Sequence, residues 1–234
     1  MSALAAAGFQ TFGLPHIAAM AVTVAAAVGL SLWVRKSDSP RRTRAVCWAI
    51  AALLVVNELV YRVHALVAYP IGEFLREYLP VHICGVAAFL TAWVLLRRGG
   101  GLAFEIAYFW GLAGTVQATL TPELLEPFPT YWFFRYFIAH SGIIVGVLFA
   151  TWGLRMRPRP GAIWRTFAVS NAYMALVALV DWLLGANYMF LCRPPDGVSP
   201  FFFLPWPWYV VFLEAVALAM VALLYLPFYM RRKG

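Results

Sequence analysis

The sequence predicts an all-α membrane protein, a single bundle of seven transmembrane helices, and three observations carry that prediction. The 234 residues are 63% hydrophobic and only 12% charged, whereas a soluble domain carries about 25% charged residues. Apolar segments close to the ~20 residues that cross a bilayer recur along the whole chain. Basic residues gather in every second connection between those segments. The connections leave no room for a separate soluble unit, so residues 1–234 are one domain.

The segments fall near 13–34, 45–68, 79–96, 102–120, 132–153, 163–185 and 207–229. The first leads into Arg35-Lys36 and then Arg41-Arg42-Thr43-Arg44, with Asp38 between them. The third ends in Arg97-Arg98, ahead of three glycines. The fifth is followed by Arg155, Arg157, Arg159 and Arg165, and the last by Arg231-Arg232-Lys233. These clusters hold all of the 18 Lys and Arg residues except Arg62, Arg76, Arg135 and Arg193. The alternate connections carry Glu73, Glu77, Glu123, Glu126 and Asp196.

Positive residues mark the cytoplasmic loops, which places the N-terminus outside and the C-terminus in the cytoplasm. An odd number of spans satisfies that arrangement. The formal charge of +8 then reports topology and contact with anionic membrane lipids, and no nucleic-acid partner is expected. Met1 to Gln10 lacks a basic leader region, so export through the first helix is expected in place of a cleaved signal. Cys47, Cys84 and Cys192 show no metal or redox spacing, and no disulfide is expected.

Ionisable groups inside membrane spans mark functional sites by default. In the second segment Asn57, Tyr61 and His64 share one face at i, i+4, i+7, and Glu58 and Arg62 form an i,i+4 pair. The stretch Leu79 to Gly85 puts Pro80 in a predicted first helical turn and carries His82 and Cys84 into the third helix. Gln117 lies near the outer end of the fourth, and Arg135 and His140 enter with the fifth. Asp181 lies near the outer end of the sixth and Glu214 two turns into the seventh. At 1.5 Å per residue all of them fall in one layer of the outer half. Glu105 and Asn171 lie elsewhere.

A structural reading stands beside each functional one. Glu58–Arg62 reads first as a structural ion pair, and Asp181 and Glu214 read first as partners that neutralise Arg135 or Arg62. Asn57 and Gln117 suit interhelical hydrogen bonding, and a buried free cysteine is often a small hydrophobe. The chemical reading is a cysteine beside a histidine, the minimum for covalent acyl transfer. A nearby arginine favours the thiolate and the developing oxyanion. On an ideal helix His82 and Cys84 point ~200° apart, which favours His140 as the partner of Cys84.

A metal site from His64, His82 and His140 lacks any sequence-local pairing. No nucleotide-binding or metalloprotease motif occurs, and no cofactor is expected. The long aromatic loop Asn187 to Tyr209 is either an interfacial belt or a cover for the site.

Four segments carry a resemblance. Leu79-Pro-Val-His-Ile-Cys84, Tyr136-Phe-Ile-Ala-His140-Ser141, Asn187-Tyr-Met-Phe-Leu191 and Pro205-Trp-Pro-Trp-Tyr209 resemble the YwaF-like family of bacterial integral membrane proteins. That family is related to the eukaryotic transmembrane protein 164 family. The resemblance implies a multi-pass protein of the bacterial plasma (inner) membrane. Through the eukaryotic relative it implies a cysteine-dependent acyltransferase that moves acyl chains between phospholipids, with Cys84 as nucleophile and His140 as base.

The leading expectation is therefore an intramembrane acyltransferase or lipid hydrolase with a phospholipid or lysophospholipid substrate. Arg62 or Arg135 would hold the lipid phosphate, with His82, Glu58, His64, Gln117, Asp181, Asn187 and Glu214 as further substrate contacts. Two alternatives stay open: a small-solute or ion-coupled transporter, or a seven-helix receptor or scaffold. Transporter sites usually lie at the membrane midplane between repeats, unlike this outer layer. The sequence assigns no protein partner.

Overall fold

A computed structural model of the chain describes residues 8–195 and 202–233. Met1 to Ala7 of the N-terminal stretch expected to lack a leader lies outside those residues, as do Asp196 and the middle of the Asn187 to Tyr209 loop. Among the described residues all regular structure is helical. The order is α1 (Leu14–Ser37), α2 (Pro40–Ala68), a short α3 (Ile71–Glu77), α4 (Ile83–Arg97) and α5 (Leu102–Leu120). Then follow α6 (Tyr131–Trp152), α7 (Ala162–Leu184), a 3-10 turn at Tyr188–Phe190, and α8 (Trp208–Lys233).

The seven predicted segments fall on α1, α2 and α4 to α8, but by length and apolarity only five helices qualify as membrane spans: α1, α2, α6, α7 and α8. α4 is apolar yet only 15 residues long. α5 interrupts its apolar run with Glu105 and Gln117.

Local chemistry sets the ends. Ser39 accepts the Arg42 N–H at 3.4 Å and Pro40 occupies the first helical turn, an N-cap signal that starts α2 five residues before the predicted 45. Thr130 caps α6 in the same way, accepting the Phe133 N–H at 3.4 Å. Gly185 ends α7 at φ 64, a left-handed conformation that glycine adopts without strain.

The third predicted helix needs correction. It starts at Ile83, not Leu79, and Pro80 lies outside it. Pro80 disfavours helical backbone at Leu79, and tertiary partners satisfy the polar groups of this stretch. Tyr78 O accepts from Arg62 Nη1 at 2.7 Å, Tyr188 Oη accepts the Leu79 N–H at 2.9 Å, and Val81 O accepts from Tyr173 Oη at 2.6 Å. With those groups paired, helix is no longer required for this half-buried backbone.

α4 sits centrally, packed on α2, α5 and α6; α1 lies on α6 and α2, and α7 and α8 lie on α5. Between apolar helices in lipid, close packing of small residues replaces hydrophobic transfer as the driving force. Gly142 and Gly146 of α6 provide that approach. A Cβ at 142 would lie 2.9 Å from Leu54 Cδ2 of α2, and one at 146 would lie 2.5 Å from Thr91 Cγ2 of α4. Gly146→Val is therefore expected to destabilise the bundle by about 1–3 kcal/mol through overpacking. Thermal unfolding in detergent checks this, and an unchanged midpoint would mean that the seam is loose.

At the end of the bundle opposite Cys84, Glu105 is fully buried in the first turn of α5. It accepts from Arg159 Nε (2.9 Å), Nη2 (3.3 Å) and N–H (3.0 Å), and from Arg165 Nε and Nη2 (both 2.9 Å). Two arginines that the sequence offered only as topology signals thus strap the α6–α7 connection to α5.

Candidate functional site

The polar layer is built first by α2 and α6. Glu58 is buried, with Oε2 3.0 Å from Arg62 Nη2 and Oε1 3.7 Å from Arg135 Nη2. The Tyr61 ring faces both guanidiniums, at 4.8 Å from Arg62 and 3.6 Å from Arg135, a cation–π arrangement that further offsets their burial. One carboxylate thus serves two arginines, which leaves a net positive charge. Both arginine Nε atoms are buried without a partner.

The expectation that Asp181 or Glu214 neutralises these arginines is corrected. Asp181 Oδ1 instead accepts the Tyr188 N–H at 2.8 Å, and Glu214 Oε1 is buried without a partner. Asn57 and Gln117 do bridge helices: Asn57 Nδ2 donates to Arg135 O at 3.2 Å, and Gln117 Nε2 lies 2.9 Å from Met220 Sδ. His64 packs on Tyr131 and Trp132 at 6.2 and 5.8 Å, beside Tyr61 on Trp132 at 6.1 Å. The Asn57, Tyr61 and His64 face therefore meets α6.

Cys84 is the second residue of α4. The first backbone bond across the helix start runs from the Val86 N–H to His82 O, at 3.2 Å. The N–H groups of Ile83, Cys84 and Gly85 precede it, and no side chain caps them. A Cβ on Gly85 would lie 3.4 Å from Arg62 Nη2 and 3.8 Å from Glu58 Oε2, so the ionic cluster abuts the residue after the cysteine. On the other side, a Cβ on Gly114 of α5 would lie 3.9 Å from Cys84 Sγ.

Cys84 lines a cavity of about 460 Å³ between α4, α5, α7 and α8, bordered by Met189, Phe190, Leu191 and Phe202 of the α7–α8 connection. His82 lines the same cavity. The helical-wheel argument that kept His82 and Cys84 apart is therefore overturned. It assumed a continuous helix, whereas His82 is the extended residue before α4, with φ −66 and ψ 142. The His82 ring meets Tyr188 edge-on at 5.2 Å.

His140 lies on α6, its ring 4.2 Å from that of Tyr136 and its Nδ1 2.9 Å from Tyr136 O. A carbonyl only accepts, so Nδ1 carries the proton and Nε2 is left as the basic nitrogen. Among the described residues no hydrogen bond joins His140 to Cys84. His140 is not among the residues that line the Cys84 cavity. No group of three metal-ligating side chains occurs among the described residues.

The α7–α8 connection is organised by residues whose role the sequence did not reveal. Asn187 Oδ1 accepts the N–H groups of Cys192 and Arg193, both at 3.1 Å, and its Nδ2 donates to Arg193 O at 3.0 Å. Its amide thus closes a turn. Tyr188 is buried, donates to Leu75 O at 3.0 Å and accepts the Leu79 N–H at 2.9 Å. Burial pushes its phenol pKa up, which keeps it a donor. Tyr188→Phe leaves Leu75 O and the Leu79 N–H unpaired and is expected to destabilise by about 1–3 kcal/mol. Denaturation in detergent measures the loss, and no change would mean that solvent already serves those groups.

Together these features define a multi-pass helical membrane protein with a cysteine, histidines and a charged cluster gathered at one end of the bundle. The chain belongs to the TMEM164 family, whose model matches residues 11–225. The resemblance carried by the four sequence segments is thereby borne out at family level. A relative described as an uncharacterized protein of Treponema pallidum (strain Nichols) is 28% identical over 163 residues. That match covers 67% of this chain and 65% of the relative's length, just under two thirds of it. No solved structure matches the chain.

Proposed function

We propose that this protein is an acyltransferase of the outer leaflet of the bacterial inner membrane, crossing it seven times with the N-terminus outside. It moves an acyl chain from a phospholipid to a lysophospholipid through a thioester on Cys84. The observation that supports this reading is a cysteine at an uncapped helix start, opening on an apolar cavity inside a TMEM164 family bundle.

His140 Nε2 takes the thiol proton, and the thiolate adds to the ester carbonyl. The N–H groups at the start of α4, which no side chain caps, and the net positive Arg62–Glu58–Arg135 cluster stabilise the oxyanion. The intermediate collapses with cleavage of the C–O bond, and the departing lysophospholipid oxygen takes the proton back from the imidazolium. The acceptor hydroxyl then gives its proton to the same nitrogen and attacks the thioester, releasing the thiol. Water in place of the acceptor makes the same site a hydrolase. His82 and Glu214, on the cavity wall, contact the lipid near its headgroup.

A lipid-like chloroacetamide should label Cys84 in vesicles and leave Cys47 unlabelled, since Cys47 is buried in α2. His140→Ala should slow both labelling and transfer by about 10²–10⁴-fold. Equal labelling of Cys47 and Cys84 would sink the assignment.

A further inference from the structure

We infer that the cavity beside Cys84 is a single-chain acyl channel, and that Thr166 and Ile163 at its far end set the length of chain accepted. The inference rests on the proposed acyl transfer for its substrate but on the cavity alone for its shape. Its walls run from Ile163 to Met174 on α7 and from Val210 to Val221 on α8, each ~16 Å at 1.5 Å per residue. That is the span of an extended fatty acyl chain, not of a headgroup.

Polarity falls along this length. His82, Gln117 and Glu214 lie at the Cys84 end. Further along, Ser170 is occupied by Trp110 Nε1 at 2.8 Å, and Asn171 Nδ2 donates to its own helix at Phe167 O, 3.1 Å. At the floor Thr166 is 1% exposed and its Oγ1 has no partner. A water there would need two to four polar partners, which a lone hydroxyl does not offer. A hydrocarbon tail needs none. The headgroup therefore stays at the Cys84 end while the tail points to Thr166.

The test uses full-length protein in phosphatidylcholine vesicles. Two probes are compared: phosphatidylcholines with a decanoyl or a palmitoyl chain, each ending in a diazirine. After photolysis, peptide mass spectrometry should find the palmitoyl tag at Ile163, Thr166 and Val221, and the decanoyl tag a turn or more nearer Cys84, at Ser170 and Ala217. Thr166→Phe, which fills the floor, should move the palmitoyl tag away from it and lower palmitoyl relative to decanoyl transfer by about tenfold. Ala217→Phe, partway along the α8 wall, gives a second block should the first variant misfold.

Tags from both probes on the lipid-facing Leu176, Leu179 and Trp182, with no dependence on length, would overturn the channel. The same map is made on Cys84→Ala, which forms no thioester. A length-dependent map in a parent protein that transfers nothing retains the channel and removes the acyltransferase reading. Transfer with a length-independent map does the reverse.

Discussion

Cys84→Ala is expected to lower acyl transfer by about 10⁴-fold or more, because losing a nucleophile removes both half-reactions at once. The bundle itself should survive. The thiol touches a cavity on one side, so truncation deletes little packing, and the unfolding midpoint should stay close to that of the parent. Cys47→Ala is the control. Cys47 is 1% exposed in the packed face of α2, so its loss is felt in stability and not in rate. Transfer measured with a labelled donor and a lysophospholipid acceptor separates the two. Full activity in folded Cys84→Ala would reduce that residue to a packing role.

The second large effect is expected at Glu58. Glu58→Ala leaves Arg62 and Arg135, whose side chains are 14% and 17% exposed, without an anion inside the bundle. Removing one partner of a buried ionic group costs about 3–5 kcal/mol, most of it from the charge left behind. Glu105 makes more hydrogen bonds, yet Glu105→Gln should cost less. Its partners Arg159 and Arg165 are 51% and 36% exposed, so both reach solvent when released and the lost pairing is screened. Chemical unfolding of the two variants side by side checks the order. Replacing Arg62 by Gln in the Glu58→Ala background should recover part of the loss. A larger effect at Glu105 would mean that hydrogen-bond number, not residual burial of charge, decides.

The helices were legible because lipid exposure writes long apolar runs into the chain, and the predicted segments overlap α1, α2 and α4 to α8. The early start of α2 was also written, in Ser39-Pro40. What periodicity does not carry is pairing over long sequence separation. Tyr78 to His82 stays outside the helix, turning at Pro80 and Val81, because Arg62, Tyr173 and Tyr188 claim its backbone, and Tyr188 lies 109 residues from Leu79. With that stretch unwound, a helical wheel gives the wrong direction for His82.

The polar layer was found from depth alone, since Glu58, Arg62, Arg135, Asn57 and Gln117 share one end of the bundle. Depth does not say which carboxylate meets which arginine. Asp181 turned out to serve the Tyr188 backbone. Tyr188 itself, one aromatic among the 11 tyrosines, had no signal in composition, though it lies within the Asn187 to Leu191 segment that carries the family resemblance.

The most direct measurement is the intact mass of the protein after incubation with a donor phospholipid in the absence of acceptor. The account predicts a mass increase of one acyl chain, released by neutral hydroxylamine, mapped to Cys84 and lost in Cys84→Ala. It should disappear when lysophospholipid is added, as the chain moves on. Transfer that proceeds with no adduct on Cys84, and equally well in Cys84→Ala, would contradict it.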